Sequence, residues 1–259
     1  MLFGHWSKTD LTLFKFIQIK TTVMADDYAN YVAPAVICAA QNNDYEEVNK
    51  LLSQGHDPNA LDELNLDNPL IIAIHSGNTA MANTLLDAGA NPNYENADGE
   101  NALHAAVRRN NFDLTKRLVE DFKMDVNHLD GRHYSPLHVA IMKNDTHMVG
   151  YLLSNGADPN ELTGDDMGDD VYYETAIHSV KTDNVEMVEM LINAGAQINN
   201  LDSDGMTPLM WACCKKHTNV ALYLIRAGAN ITYRCRDGLT ALHEARRNKL
   251  TAVIDKLCG

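Results

Sequence analysis

Ser135-Pro-Leu-His-Val-Ala140 and, a helix-length later, Gly156-Ala-Asp-Pro-Asn160 decide the fold, because both phrases recur along the chain on one beat. The first has copies at Asn68-Pro-Leu-Ile-Ile-Ala73, Asn101-Ala-Leu-His-Ala-Ala106, Thr175-Ala-Ile-His-Ser-Val180, Thr207-Pro-Leu-Met-Trp-Ala212 and Thr240-Ala-Leu-His-Glu-Ala245. In chain order the copies start 33, 34, 40, 32 and 33 residues apart, and a degenerate copy, Ala33-Pro-Ala-Val-Ile-Cys38, starts 35 residues before Asn68. The second phrase returns at Gly55-His-Asp-Pro-Asn59, Gly89-Ala-Asn-Pro-Asn93, Gly195-Ala-Gln-Ile-Asn199 and Gly228-Ala-Asn-Ile-Thr232, while Lys123-Met-Asp-Val-Asn127 keeps the beat without the glycine.

Each phrase has a physical reading. A Thr, Ser or Asn side chain accepts from an orphan backbone N–H and starts a helix; Pro fits the first turn, where its missing N–H is not needed. Between the phrases run apolar residues at helical spacing, such as Met81, Leu85 and Leu86, or Met148, Tyr151, Leu152 and Leu153. Gly then ends the second helix in the left-handed conformation it adopts without strain, and the Asp/Asn-Pro-Asn and Asp-Gly pairs read as turns of a short projecting hairpin. One such unit cannot bury its apolar faces alone, so the units must stack.

The two phrases in register resemble the ankyrin repeat, over about residues 29 to 259. The resemblance implies an all-α repeat solenoid, an elongated and curved stack of helix–turn–helix units with short β-hairpin fingers. The repeats fall at approximately 29–66, 67–99, 100–133, 134–173, 174–205, 206–238 and 239–259, in a domain over 25–259. Residues 1–24 read as an N-terminal extension, disordered or an extra helix, because Met24 opens an ordinary start and the preceding segment is neither a clean signal peptide nor a membrane span. The resemblance also gives His104, His138, His178 and His243, all at one repeat position, the structural role of tying a helix to the neighbouring hairpin. It implies that fingers and first helices line a concave face that binds proteins.

Composition narrows the class. The net charge is −14, which disfavours direct nucleic-acid binding, since that affinity rests on Lys and Arg neutralising phosphates. The charge is polarised: residues 215–259 hold nine Lys or Arg against three Asp or Glu, a balance of +6, and residues 1–214 hold twelve against 32, a balance of −20. Such polarity steers a charged partner. Five irregularly spaced cysteines form no disulfide framework and fit a reducing, cytoplasmic setting.

The breaks in the pattern carry the functional reading. Ordinary copies count eight residues from the turn asparagine to the next cap, as in Asn93 to Asn101; Asn160 to Thr175 counts fifteen. The long finger, 161–174, holds six acidic residues and no basic one, together with Met167, Val171, Tyr172 and Tyr173. Three readings stand: a tolerated loop insertion, a recognition loop whose Asp165, Asp166, Met167, Asp169, Asp170, Tyr172 and Tyr173 anchor a basic partner, and a divalent-cation site, whose spacing does not match an EF-hand. Repeat position places Leu129, Tyr134, Leu201, Met206 and Trp211 as an exposed apolar strip, with Glu100 among the variable tip sites and Arg108 and Arg109 on a first helix; Trp211 reads equally as packing.

Cys213, Cys214 and His217 lack the second ligand pair that structural zinc requires. Neither G-x-S-x-G, P-loop nor G-x-G-x-x-G is present. The expectation is therefore a non-enzymatic, cofactor-free, monomeric module that holds a folded protein, with no nucleic acid or membrane as direct partner. The rival expectations are an effector or inhibitor that masks a basic surface and, if a deep pocket held a perturbed titratable group, an enzyme.

Overall fold

A computed structural model describes residues 34–61, 66–164, 166–167, 170–171 and 173–259. The proposed extension at 1–24 lies outside them. The chain divides into two compact units, 1–105 and 106–259.

The first unit contains α1 (Ala35–Gln41), α2 (Tyr45–Ser53), α3 (Pro69–His75), α4 (Thr79–Asp87) and the start of α5 (Ala102–Arg108). The second continues with α6 (Phe112–Glu120), α7 (Pro136–Met142), α8 (Thr146–Ser154), β1 (Asp166–Met167), β2 (Asp170–Val171), α9 (Val185–Asn193), α10 (Pro208–Cys214), α11 (Thr218–Arg226), α12 (Ala241–Arg247) and α13 (Thr251–Cys258). Seven-residue first helices alternate with longer second helices, which makes the fold all-α and repetitive. Among the described residues, no helix is long and apolar enough to cross a membrane.

The caps follow the sequence. Asn68, Ser135 and Thr207 accept from the N–H of Ile71, His138 and Met210. Asp44, Asn78, Asn111, Asp145 and Asn184 cap the second helices in the same way. Helices this short are marginal alone, so burial holds them. Ile37, Leu70, Ile74 and Leu85 are fully buried in the first unit, and Leu118, Leu137, Met148, Leu191 and Leu224 in the second. Each such side chain contributes about 1.5–3 kcal/mol.

The turn asparagine explains the second phrase. Asn160 donates its amide to the carbonyl of Gly195 and accepts from the N–H of Gln197. Asn127 does the same to Gly156 and Asp158, and Asn59 to Gly89 and Asn91. Finger is thus stitched to finger through one side chain. Among the described residues, the ordinary fingers carry no strand ladder: a single residue, such as Asp130 or Asp202, closes the turn with its backbone N–H and accepts two N–H groups on its side chain. Strand pairing occurs in the long finger, where β1 and β2 run antiparallel with Asp166 opposite Val171 and Met167 opposite Asp170.

One repeat departs from the plan. Thr175 to Asn184 spans nine residues where Ser135 to Asp145 spans ten. Residues 176–179 form a single turn in place of the seven-residue first helix. The left-handed residue that links first and second helices elsewhere, as Asn43, Gly77, Asn110, Asn144, Lys216 and Lys249 do, has no counterpart here.

Candidate functional site

The long finger and the shortened helix are consecutive, and their junction is the most elaborated polar cluster of the second unit. Thr163 and Glu174 pair at the finger's base, each N–H donating to the other's carbonyl at 3.0 and 2.8 Å. The next finger is fastened alongside. Ser203 donates its N–H to the carbonyl of Tyr173 at 2.9 Å, its hydroxyl donates to the same carbonyl at 3.1 Å, and the N–H of Tyr173 donates back to the hydroxyl oxygen.

Glu174 lies partly buried below this joint. Ser179, from the single helical turn, donates its hydroxyl to Glu174 Oε1 at 2.6 Å. Burial raises the Glu174 carboxyl above the ordinary range and the Asp202 charge adds to this, against lowering by the Ser179 hydrogen bond and by Lys181 and Lys215. Asp202 is buried, accepts the N–H groups of Asp204 and Met206, and takes Trp211 Nε1–H at 2.6 Å. Lys215, the C-cap residue of α10, places its ammonium 4.2 Å from the centre of the Trp211 ring.

The expected apolar strip is less exposed than repeat position implies. Leu201 is exposed at 40%, whereas Leu129, Tyr134, Met206 and Trp211 are half-buried. The fingers fold down onto the helices, and Trp211 is pinned by its N–H. Glu100, expected at a variable tip, is buried and meets His75 Nε2 at 2.9 Å. Arg109 is exposed; Arg108 reaches the buried carboxylate of Asp130 at 3.3 Å. Asp165, Asp169 and Tyr172 lie outside the described residues, as do the side chains of Asp166, Met167 and Asp170.

The repeated histidines sit on their caps: Nδ1 of His104, His138, His178 and His243 lies 2.8 to 2.9 Å from the side-chain oxygen of Asn101, Ser135, Thr175 and Thr240. In His178, Nδ1 also accepts the Thr175 N–H, which leaves Nε2–H to donate to the carbonyl of Met206, in the next finger, at 3.2 Å. The equivalent acceptor for His138 would be the carbonyl of Glu174, which takes the N–H of Thr163, as the Met206 carbonyl takes that of Asp202. His138 Nε2 is buried without a hydrogen-bond partner, and burial pushes the ring down to about 3. The tie that His178 makes to the next finger has no counterpart at His138.

Chemistry has little foothold among the described residues. No group of three His, Cys, Asp or Glu is placed to hold a metal ion. Burial, then the charges of Glu244 and Cys214, push the Cys213 thiol up to about 12, so it is no nucleophile at neutral pH. An open cleft of about 410 Å³ lies between Val119–Asn127 and Asn155–Gly156, away from the junction, and no nucleophile–base pair lines it.

Family comparison agrees with this architecture. A model described as ankyrin repeats (3 copies) matches residues 36–130, 81–163 and 176–259, and one described as ankyrin repeats (many copies) matches 137–192. The chain belongs to the ankyrin-repeat family. Repeats of this family generally mediate protein–protein interaction and are generally non-catalytic. An ankyrin repeat protein of Acanthamoeba polyphaga mimivirus is 30% identical over 65% of this chain and 21% of its own length. One from Fowlpox virus is 32% identical over 59% of this chain and 33% of its own. The human transient receptor potential cation channel subfamily A member 1 is 26% identical over 84% and 26%. The chain thus spans a third or less of each of these relatives. Among solved structures, the ankyrin repeat domain of Bcl-3 matches with a TM-score of 0.72, 23% identity, and coverage of 87% of this chain and 98% of that one. A chain from the Bdellovibrio bacteriovorus endopeptidase Bd0816 in complex with immunity protein Bd3460 matches at 0.64, with 21% identity and coverage of 73% and 96%. At these identities the likeness speaks for the fold.

Of the cluster of Glu174, Ser179, Asp202, Ser203 and Lys215, repeat position marks Ser203 and Lys215 as lining sites and the long finger includes Glu174, while Ser179 and Asp202 were missed. The usable signal was the 32-residue interval after the 40-residue one: an insertion followed at once by a deletion.

Proposed function

We propose that residues 106–259 hold a folded protein partner on the side formed by fingers and first helices, with the long acidic finger at 161–174 as anchor and Leu129, Tyr134, Leu201, Met206, Trp211 and Arg109 as surrounding contact. The observation that carries this reading is the fastening of the insertion. A tolerated insertion need only loop out, whereas this one is bonded at its base through Thr163–Glu174 and to its neighbour through Tyr173–Ser203. Its six carboxylates call for a basic surface on the partner. The chain works as a monomer in the cytoplasm, with no metal or cofactor.

The viral relatives and the balance of −20 over residues 1–214 favour a second reading, an effector that masks a basic surface of its target. Salt separates the two: masking by charge weakens steeply between 50 and 500 mM salt, and apolar anchoring does not. Deleting Asp165 to Tyr172 tests the anchor itself. Thermal stability stays within about 2 °C, because loops contribute little, while affinity for a partner recovered by cross-linking and mass spectrometry falls at least about ten-fold. Unchanged affinity would remove the finger from the binding site.

A further inference from the structure

Trp211 lies at the foot of the fastened fingers with three charges gathered round it. Its N–H donates to the buried carboxylate of Asp202 at 2.6 Å, which orients the ring. The Lys215 ammonium sits 4.2 Å from the ring centre, within the range of attraction between a cation and an aromatic face. Glu174 follows Tyr173, which is bonded to Ser203, the neighbour of Asp202, so a second carboxyl group lies alongside. The groups that make a cation-binding seat are therefore assembled: an oriented indole face, two carboxylates, and a cation resting on it. That cation comes from an exposed lysine on a flexible four-carbon stem.

A second junction of the same unit shows the stronger form of such a contact. Asp130, at the finger position equivalent to Asp202, takes the guanidinium of Arg108 at 3.3 Å. In the shortened repeat, Thr182 stands seven residues after the cap, where Arg108 stands after Asn101, and its hydroxyl donates to Asn144.

We propose that the Trp211 face, flanked by Asp202 and Glu174, is the seat for an arginine side chain of the partner, and that Lys215 is a resident stand-in displaced when the partner docks. The exchange is favourable because a guanidinium stacks on an indole with less loss of hydration than an ammonium, and presents a planar fork to the carboxylates. This inference rests on the reading that the finger side binds a basic protein, and it names the residue type recognised.

The probe is a fluorescein-labelled peptide of alternating Gly and Arg, titrated into the full-length protein and followed by anisotropy. The expected result is that Lys215→Ala binds it roughly three- to ten-fold more tightly than the parent chain, since the competing cation is gone. Trp211→Ala in the Lys215→Ala background removes that gain; Trp211→Phe, which keeps a ring face should the alanine variant fail to fold, retains most of it. Binding that Lys215→Ala leaves unchanged or weakens overturns the proposal, as does a gain that survives Trp211→Ala. Deletion of Asp165 to Tyr172 separates this from the finger reading. A Lys215→Ala gain that persists in the deleted protein upholds the seat. Loss of all binding on deletion, with Lys215→Ala without effect in the undeleted chain, overturns the seat and leaves the finger as anchor.

Discussion

The carboxylate of Asp183 accepts the N–H groups of Asn219 and Val220 at 3.0 and 2.8 Å, and so caps a helix of the following repeat. The residue at the N-cap of α11 is His217, whose side chain makes no capping bond. Asp183 can reach because the segment after the single turn 176–179 is not folded into the usual helix–turn–helix link. Asp183→Ala is expected to lower stability by about 1 kcal/mol, within the range of lost caps. Chemical denaturation would check this, and His217→Asn in the alanine background would restore much of the loss by capping in place. A neutral Asp183→Ala would mean that water serves those donors equally well.

Most of the helical fold was legible because each helix is specified locally. Asn68, Ser135 and Thr207 announce their helices by cap chemistry, and Met81, Leu85 and Leu86 their buried face by spacing. Gly89, Gly156, Gly195 and Gly228 take the positive φ that the phrase requires. Lys123 takes it too, at 52°, with no glycine to predict it. The junction was less legible, because the bond that fastens its two fingers links Tyr173 with Ser203, thirty residues apart in sequence. The missing residue between Thr175 and Asn184 was countable, yet the phrase Thr175-Ala-Ile-His reads as an ordinary helix start until the shortened link withdraws the rest of the helix. The direction of the Trp211 N–H, which decides how far the ring is exposed, has no signature in spacing at all.

Ser203→Ala isolates the fastening of the long finger. It removes the hydroxyl that donates to the Tyr173 carbonyl and accepts the Tyr173 N–H, while the backbone bond from Ser203 N–H remains. A half-buried hydroxyl with two bonds is worth about 1 kcal/mol. The loss should be local: faster amide hydrogen exchange at Tyr173 and Glu174, with α6 to α8 unaffected. Unchanged exchange at Tyr173 would show that the backbone bond alone holds the finger.

Gly150 sits inside α8, where glycine costs about 0.5–1 kcal/mol relative to alanine. A Cβ at that position would come within 2.9 Å of Met190 Cε. That atom is the end of a flexible side chain, which can turn away. Gly150→Ala is therefore expected to stabilise the protein by a few tenths of a kcal/mol up to about 1 kcal/mol. A fall in Tm would show that Met190 is held more tightly than its chain length implies.

Acid should unfold the second unit through two histidines. Burial lowers His138 to about 3, and burial likewise lowers His178 to about 4 against the opposing pull of Asp202 and the Met206 carbonyl. The unfolded rings titrate near 6.5. Between pH 6.5 and about 4 the unfolded chain therefore binds more protons than the folded one, and stability falls as pH falls, by up to about 1.4 kcal/mol per pH unit for each ring. Above about pH 7.5 both rings are neutral in both states and contribute no slope. Urea midpoints measured from pH 7.5 to 4.5 check the sign. His138→Gln and His178→Gln should each flatten the profile by about the same amount over this range, because the larger shift of His138 acts only below about pH 4. A profile that His138→Gln leaves unchanged would mean that this ring finds a proton acceptor in the folded protein and is not held neutral by its burial.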